Sequence, residues 1–207
     1  MKKRITEFVV ILTLICIVYA CIQHQGSATQ DKQKPTSAKA NDDTAKAISR
    51  EQLIVPGKSI GKISIGGSAD SVISLLGKPD FSDAAMGSAL MTWYDKHDTS
   101  GYKISIFAAH NFGAKNEGVA HIRKILTTSP AFKTAEGLNP GMPLSEYSRH
   151  FKLTPAGGFT TNGGGKIKVY EAKEEGIAFE IDSVSNTGIA IVVHKPNDTS
   201  ATYINMN

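Results

Sequence analysis

The stretch IGKISIGGSADSVISLLGKPD, residues 60–80, predicts a short strand that leads directly into a helix. Ile63 and Ile65 alternate with polar residues, which is the pattern of a half-buried strand. Ser68 is a residue type that caps helix N-termini, and Gly77 is the type that most often ends them. The stretch therefore predicts one strand and one helix, joined by a glycine-bearing turn.

The predicted helix carries one apolar face. Val72, Leu75 and Leu76 fall at helical spacing, and Pro79 prevents the helix from resuming after Gly77. A helix with a single apolar stripe must bury that stripe against another element. We therefore expect this helix to pack on a sheet.

A second stretch, GLNPGMPLSEYSRHF at residues 137–151, repeats the arrangement about 75 residues later. Pro143 suits the first turn of a helix, and Leu144, Tyr147 and Phe151 lie on one face. Strand-like segments with turns rich in Asp, Gly and Asn follow each helix. They are Ala89–Asp95, Tyr102–Ala109 and Val119–Thr128 after the first helix, and Lys166–Ala172, Gly176–Asp182 and Gly188–His194 after the second.

These elements predict an α+β fold built from two tandem units, each a helix followed by an antiparallel β-meander. The units cover about 60–128 and 137–194, within one folded domain at 53–207. The helices are expected to pack on one face of the sheet.

One sequence motif resembles that of the small outer-membrane lipoproteins of the SmpA/OmlA (BamE) type. The matching residues are Gly66, Ser68, Val72, Leu75, Leu76, Gly77 and Pro79, followed by Trp93 and Tyr94. A tandem helix-plus-meander unit is also similar to the β-lactamase inhibitor protein fold. The resemblance implies a protein-binding role, either as a scaffold in an envelope assembly machine or as a plug for an enzyme. It brings no catalytic residues with it.

The N-terminus has the layout of a bacterial lipoprotein signal over residues 1–20. A basic start is followed by an apolar run, and Val18-Tyr19-Ala20-Cys21 resembles a lipobox. Tyr19 departs from the small residue usual at that position, and Cys16 is a poorer candidate because Ile15 precedes it. The resemblance implies that Cys21 is lipidated and becomes the mature N-terminus, palmitate being a typical acyl group. The alternative is an uncleaved anchor helix in which Cys21 is incidental.

Residues 21–52 predict a flexible polar tether after the lipidated cysteine. The segment is dominated by Gln, Lys, Ser, Thr, Ala, Asn and Asp, so it cannot bury enough apolar surface to offset its ordering entropy. We therefore expect the protein in the cell envelope, held to a membrane through lipid on Cys21, with the outer membrane favoured over the inner.

Charge and motifs exclude several classes of function. The net charge of +4 includes Lys2, Lys3 and Arg4 of the signal, and the folded segment carries no basic stripe, so nucleic acid is not an expected partner. No helical metal-binding motif occurs, and a thiolate zinc site is excluded because the folded domain contains no cysteine. The cluster of Glu171, Glu174 and Glu175 is typical of a solvated turn, with weak calcium binding as the alternative. We therefore expect no cofactor, no metal and no catalytic residues.

Trp93 and Tyr94 form the candidate binding surface. They are adjacent on a predicted strand, so their side chains are expected on opposite faces of the sheet. The favoured function is a non-enzymatic, membrane-anchored module that binds or scaffolds an envelope protein. The alternative is an envelope hydrolase or small-ligand binder with a site between the two units, which would need a pocket with convergent polar groups.

Overall fold

A computed structural model of the chain describes residues 48–198 and residue 206. The predicted signal at 1–20, the lipidation of Cys21 and most of the predicted tether lie outside the described residues. The described part contains two α-helices, α1 (Ala69–Leu76) and α2 (Leu144–His150), and a 3-10 turn at Asp95–His97. Its strands are β1 (Leu53–Val55), β2 (Ser59–Ile60), β3 (Ile63–Ser64), β4 (Phe81–Ala85), β5 (Ser88–Tyr94), β6 (Lys103–His110), β7 (Ala120–Thr127), β8 (Lys133–Thr134), β9 (Thr154–Thr160), β10 (Lys166–Ala172), β11 (Ile177–Asp182) and β12 (Gly188–His194).

The strands form two sheets. The larger has eight antiparallel strands in the order β4-β5-β6-β7-β12-β11-β10-β9, so β7 and β12 meet at its centre with Thr127 opposite Ile191. The smaller has four strands in the order β3-β2-β1-β8 and contains the parallel pair of β1 with β8. Within each half of the large sheet, strands that follow one another in sequence are neighbours, whereas the central pair, β7 and β12, joins strands that are distant in sequence.

Each face of the large sheet belongs to a different apolar cluster. Ile125 and Val193 lie in the first cluster, and Leu126 and Val192 lie in the second, as the alternation of side chains along a strand requires. The first cluster also contains buried residues of α1, α2 and the small sheet. Among the described residues, the second cluster contains only residues of the large sheet and Met206.

Helix α1 begins and ends as its sequence predicts. The Ser68 side chain accepts a hydrogen bond from the Asp70 backbone N–H at 3.1 Å. At the other end Gly77 has φ 84°, a left-handed conformation that glycine adopts without steric cost, and its N–H donates to the Ile73 carbonyl. Only part of the predicted apolar face is covered: Val72 is buried, whereas Leu75 and Leu76 are 46% and 38% exposed.

Helix α2 is closed onto the sheet by aromatic stacking. Tyr147 is fully buried, and its ring stacks on Phe179 of β11 with centroids 4.3 Å apart. The Tyr147 hydroxyl donates to the Asn139 carbonyl at 2.7 Å. At Gly188 a Cβ atom would lie 2.2 Å from that hydroxyl, so only glycine fits there. Burial of this kind raises the pKa of Tyr147 to about 12, against a hydrogen bond with the backbone of Met142 that acts in the other direction.

The predicted fold class was wrong. The described chain is mostly β-structure in two sheets with two short helices, and the predicted fold of two tandem helix-plus-meander units contains only one strand of the small sheet, β3. The SmpA/OmlA (BamE)-like and β-lactamase inhibitor-like folds implied by the resemblance were therefore also wrong. The individual strand predictions were more accurate: β10 and β12 have the predicted bounds, and the other strands predicted after the helices differ by one residue at one or both ends.

The missed strands lack the patterns on which strand prediction depends. Strand β4 is exposed along its whole length, and β9 contains Pro155, Gly157 and Gly158, which a sheet tolerates at an edge. Both are the edge strands of the large sheet. The strands of the small sheet are two or three residues long, too short to show an alternation.

Candidate functional site

The structure places both predicted binding residues beside one open cavity, here called the cleft. Trp93 is 7% exposed, and its indole N–H donates to the Gly77 carbonyl at 2.9 Å. Strand β5 is thereby fastened to the end of helix α1. Tyr94 is half-buried and also lines the cleft. Neither is the exposed aromatic expected on a sheet face, and their role in binding stays a prediction.

The cleft has a volume of about 600 Å³ and lies between the end of α1, the β5–β6 connection and the segment 129–132. Its apolar lining comes from Leu76, Trp93, Ile104, Pro130, Ala131 and Phe132. A volume of this size lies within the range of about 300–1,000 Å³ that ligand sites in proteins occupy. Leu76 is exposed here because the cleft, rather than another element, faces the last turn of α1.

A histidine–carboxylate pair forms the polar side of the cleft. The Asp80 carboxylate accepts the Tyr94 backbone N–H at 2.8 Å and the ring nitrogen Nδ1 of His97 at 2.6 Å. The Tyr94 N–H, and then His97, hold the pKa of Asp80 below its ordinary value. Because an ionised carboxylate only accepts, Nδ1 of His97 is the donor in this contact. The Asp80 side chain is 18% exposed and that of His97 is 78% exposed, so the imidazole faces solvent.

The backbone under His97 is strained. Lys96 and His97 have φ of 53° and 61°, two consecutive left-handed residues without glycine. Such residues cost about 1–3 kcal/mol each and persist where surrounding contacts fix them, often at functional sites. Here the Asp95 N–H donates to the Tyr102 carbonyl at 2.7 Å, and the Asp98 N–H donates to the Asp95 carbonyl.

The turn is fixed further along by its own side chains. The Asp98 carboxylate accepts the backbone N–H of Ser100 at 2.9 Å and its hydroxyl at 2.7 Å. Tyr102, which follows, is 53% exposed and lines both the cleft and a neighbouring open groove of about 780 Å³. The turn therefore presents an imidazole and a phenol from a rigid frame.

A second histidine–carboxylate pair lies elsewhere, at the end of β12. His194 Nε2 is 3.1 Å from the Glu171 carboxylate, and Nδ1 donates to the Lys195 carbonyl at 3.0 Å. The His194 side chain is 4% exposed, and burial is the main reason that its pKa lies below the ordinary value. Glu171, predicted as part of a solvated acidic turn, thus faces a buried imidazole. The imidazole of this pair is buried, whereas the Glu171 side chain is 24% exposed.

The sequence did not reveal the pairing of Asp80 with His97. Neither residue was proposed as a site residue from the sequence. The available signal was the acidic residue directly after Gly-Lys-Pro, 17 positions before a histidine in a turn. In the part of the chain that the structure describes, no group of three His, Cys, Asp or Glu side chains is placed to hold a metal ion.

Comparison with known proteins adds little beyond the geometry. No protein-family model matches the chain, and no curated protein matches it. Among solved structures, the chain is similar to an extracellular protein containing a SCP domain from Bacillus anthracis str. Ames, at 10% identity and a TM-score of 0.40. The match covers 78% of this chain and 49% of that one, so the chain spans about half the length of that protein.

The mostly β architecture contradicts the SmpA/OmlA (BamE) resemblance. None of the helices at the described positions is long and apolar enough to span a membrane.

Proposed function

We propose that the protein is a lipid-anchored module of the bacterial cell envelope that binds an apolar group of a partner protein in the cleft. The observation that carries the proposal is an apolar cavity of about 600 Å³ bordered by the hydrogen-bonded Asp80–His97 pair. Binding sites typically combine a mostly apolar lining with a few fixed polar groups that orient the ligand.

The exposure of the cleft residues supports binding rather than packing. Leu76 and Tyr102 are 38% and 53% exposed, so each leaves apolar surface that a partner side chain would cover. Large aromatic and aliphatic residues in such a pocket are typical anchors of protein interfaces. The strained turn at Lys96 and His97 is consistent with a preorganised site, since strain of this kind is kept where a fixed geometry is useful.

The proposed anchor is lipid on Cys21, supported by the lipobox-like Val18-Tyr19-Ala20-Cys21. A tether of about 30 residues would give the domain reach above the membrane. Replacing Cys21 with Ser should remove fatty-acid label and release the protein from the membrane fraction, and the same change at Cys16 is the matched control. Label that persists in Cys21→Ser would reject the anchor.

Site-specific photocrosslinking in intact envelopes tests binding at the cleft. A photoreactive residue at Tyr102 should give a discrete crosslinked product, because Tyr102 lines the cleft. The same residue at Val184, which is 92% exposed in the β11–β12 connection, is the control. The product at Tyr102 should fall sharply when Leu76→Ser is added. Equal products at both positions, or no effect of Leu76→Ser, would contradict the proposal.

A second candidate function, a small-ligand binder or hydrolase, is favoured by one observation. A carboxylate that orients an imidazole at 2.6 Å is the arrangement that general-base chemistry uses. The cleft is lined by residues of the first predicted unit and by the segment 129–132 that follows it, whereas the neighbouring groove is lined by residues of both units. If small-molecule hydrolysis by the purified protein is found and is lost in His97→Gln, this second function would replace the first.

A further inference from the structure

We propose that the cleft binds an extended polypeptide segment of its partner, which lies across the cleft and the two cavities beside it. The segment carries an aliphatic residue toward one end and a basic residue toward the other. The inference rests on the proposed function, because it names the kind of partner that the cleft takes. A single side chain entering from a folded surface would need the cleft alone.

The cleft is the middle one of three adjoining cavities. A pocket of about 220 Å³, here called the side pocket, shares three apolar lining residues with the cleft, namely Leu76, Ile104 and Phe132. The open groove of about 780 Å³, here called the groove, shares three other residues with it, namely Asp95, Tyr102 and Pro130. The two sets have no member in common, so the side pocket and the groove adjoin different parts of the cleft. The three cavities therefore form one path.

This path is longer than one side chain. Ile104 lines the side pocket, and Gly188 lines the groove. Thr127 pairs with both Ile104 and Ile191, so Gly188 lies two strands away from Ile104 and three residues along β12. Those steps are about 10 Å across the sheet and about 10 Å along it. The resulting distance of about 14 Å is covered by about five residues of extended chain.

The side-pocket end of the path favours an aliphatic residue. Leu75 and Leu76 line this pocket and are 46% and 38% exposed. The two charged residues of its lining, Glu51 and Lys62, form an ion pair with each other at 2.6 Å. The pair leaves this end without net charge, so the apolar surface beside it is covered most favourably by an apolar side chain.

The groove end of the path favours a basic residue. Among the described residues that line the groove, Asp95 is the one that carries a charge, and it is exposed. It lines the cleft as well, so its carboxylate lies where the two cavities meet. A Lys or Arg side chain of the segment would donate a charge-assisted hydrogen bond to this carboxylate. Such complementarity selects the partner and fixes its register in the path.

Photocrosslinking at three positions in intact envelopes tests the proposal. A photoreactive residue is placed at Leu75 in the side pocket, at Tyr102 in the cleft, or at Ser100 in the groove, with the exposed Val184 as the control. The Ser100 backbone N–H, which donates to Asp98, is retained in that variant. We expect all three positions to crosslink to the same partner. Mass spectrometry should place the three adducts within about ten consecutive residues of it, as one extended segment requires.

The outcomes separate this inference from the proposed function. A product at Tyr102 without products at Leu75 and Ser100 would overturn the extended segment and leave binding in the cleft intact. Adducts in separate segments of the partner, or on a second copy of this chain, would overturn it as well. The loss of the Tyr102 product itself would overturn both proposals.

A charge variant tests the basic residue of the segment. Asp95→Asn keeps the shape of the side chain and should lower the product at Ser100 about fivefold, because an exposed ion pair is lost. Asp83→Asn is the matched control, since Asp83 is exposed on β4 and lines none of the three cavities. The emission of Trp93, the single tryptophan, checks that both variants are folded. Equal products in the two variants would overturn the proposal, and so would a crosslinked segment that contains no Lys or Arg.

Discussion

Both helices are tied to the large sheet by the turn that precedes them, yet they end in different surroundings. The Gly66 N–H before α1 donates to Ile122 of β7, and the Gly141 N–H before α2 donates to Gly188 of β12. Beyond these equivalent attachments, α2 is closed by the burial of Tyr147, whereas α1 leaves Leu76 facing the cleft. Since both helices are attached to the sheet in the same way, the attachment does not explain the open space beside α1. The cleft depends instead on the residues around the C-terminal end of α1.

The largest expected loss of stability comes from adding a side chain at Gly188, beside the buried Tyr147 of α2. Gly188→Ala places a Cβ atom where the Tyr147 hydroxyl lies, so the stacked pair with Phe179 must move. Overpacking of this kind costs about 1–3 kcal/mol or more. Gly118→Ala is the matched control, because a Cβ atom there meets no atom within 4 Å. Urea unfolding of both variants measures the difference. Equal midpoints would show that the packing around Tyr147 of α2 leaves room for an added methyl group, as the open space beside α1 does.

Next in size is the loss of the Tyr147 hydroxyl. Tyr147→Phe removes the bond to the Asn139 carbonyl and should cost about 1 kcal/mol at neutral pH. The pKa of Tyr147 is raised to about 12, so the folded state keeps a proton that the unfolded state loses near pH 10. Stability should therefore fall as pH rises from 10 toward 12, and this fall should be smaller in the Phe variant. Denaturant unfolding across that range measures both, and identical slopes would remove Tyr147 as the cause.

A change of similar or smaller size is expected at the start of α1. Ser68→Ala removes the side-chain oxygen that accepts the Asp70 N–H, at a cost of about 1 kcal/mol. Helix α2 has Pro143 at the same position and no side-chain cap, so Pro143→Ala should not remove a hydrogen bond. Thermal unfolding of the two variants compares the helices directly. If Ser68→Ala is silent, the side-chain cap does not stabilise α1 and its other contacts with the sheet are sufficient.

The smallest stability effect is expected in the cleft itself. Leu76→Ser removes a side chain that is already 38% exposed, and changes at such positions usually remain within about 0.5 kcal/mol. A stability loss similar to that of Gly188→Ala would mean that Leu76 is a core residue and that the cleft is not open in solution. Urea unfolding of the two variants under one set of conditions decides this.

The difference between the surroundings of α1 and those of α2 could be predicted only in part from the sequence. The caps at Ser68 and Gly77 and the long central strands follow from local residue types and alternation, so they were predicted correctly. Apart from the strand at Ile63, the small sheet was missed because its strands are two or three residues long, and because the pairing of β1 with β8 joins residues that are distant in sequence. The exposure of Leu75 and Leu76 was missed because helical spacing shows which residues share a face, and does not show what covers that face.

The candidate site was predicted in the same partial way. Trp93 and Tyr94 were singled out, and both line the cleft. The Asp80–His97 contact depends on two left-handed residues in the turn at Asp95–His97, and nothing in the residue types Lys and His predicts that backbone. A pairing made by an unusual turn becomes visible only when the strands on either side are in place.

The most direct test of the cleft uses Trp93, because it is the only tryptophan and lines the cavity. The apolar dye 1-anilinonaphthalene-8-sulfonate is titrated into the purified domain while Trp93 emission is recorded. We expect saturable quenching by energy transfer to bound dye, lost in Leu76→Ser and retained in Val184→Ser, whose side chain is exposed in the β11–β12 connection. Quenching that is absent, or that is equal in the two variants, would contradict the assignment of the cleft as a binding site.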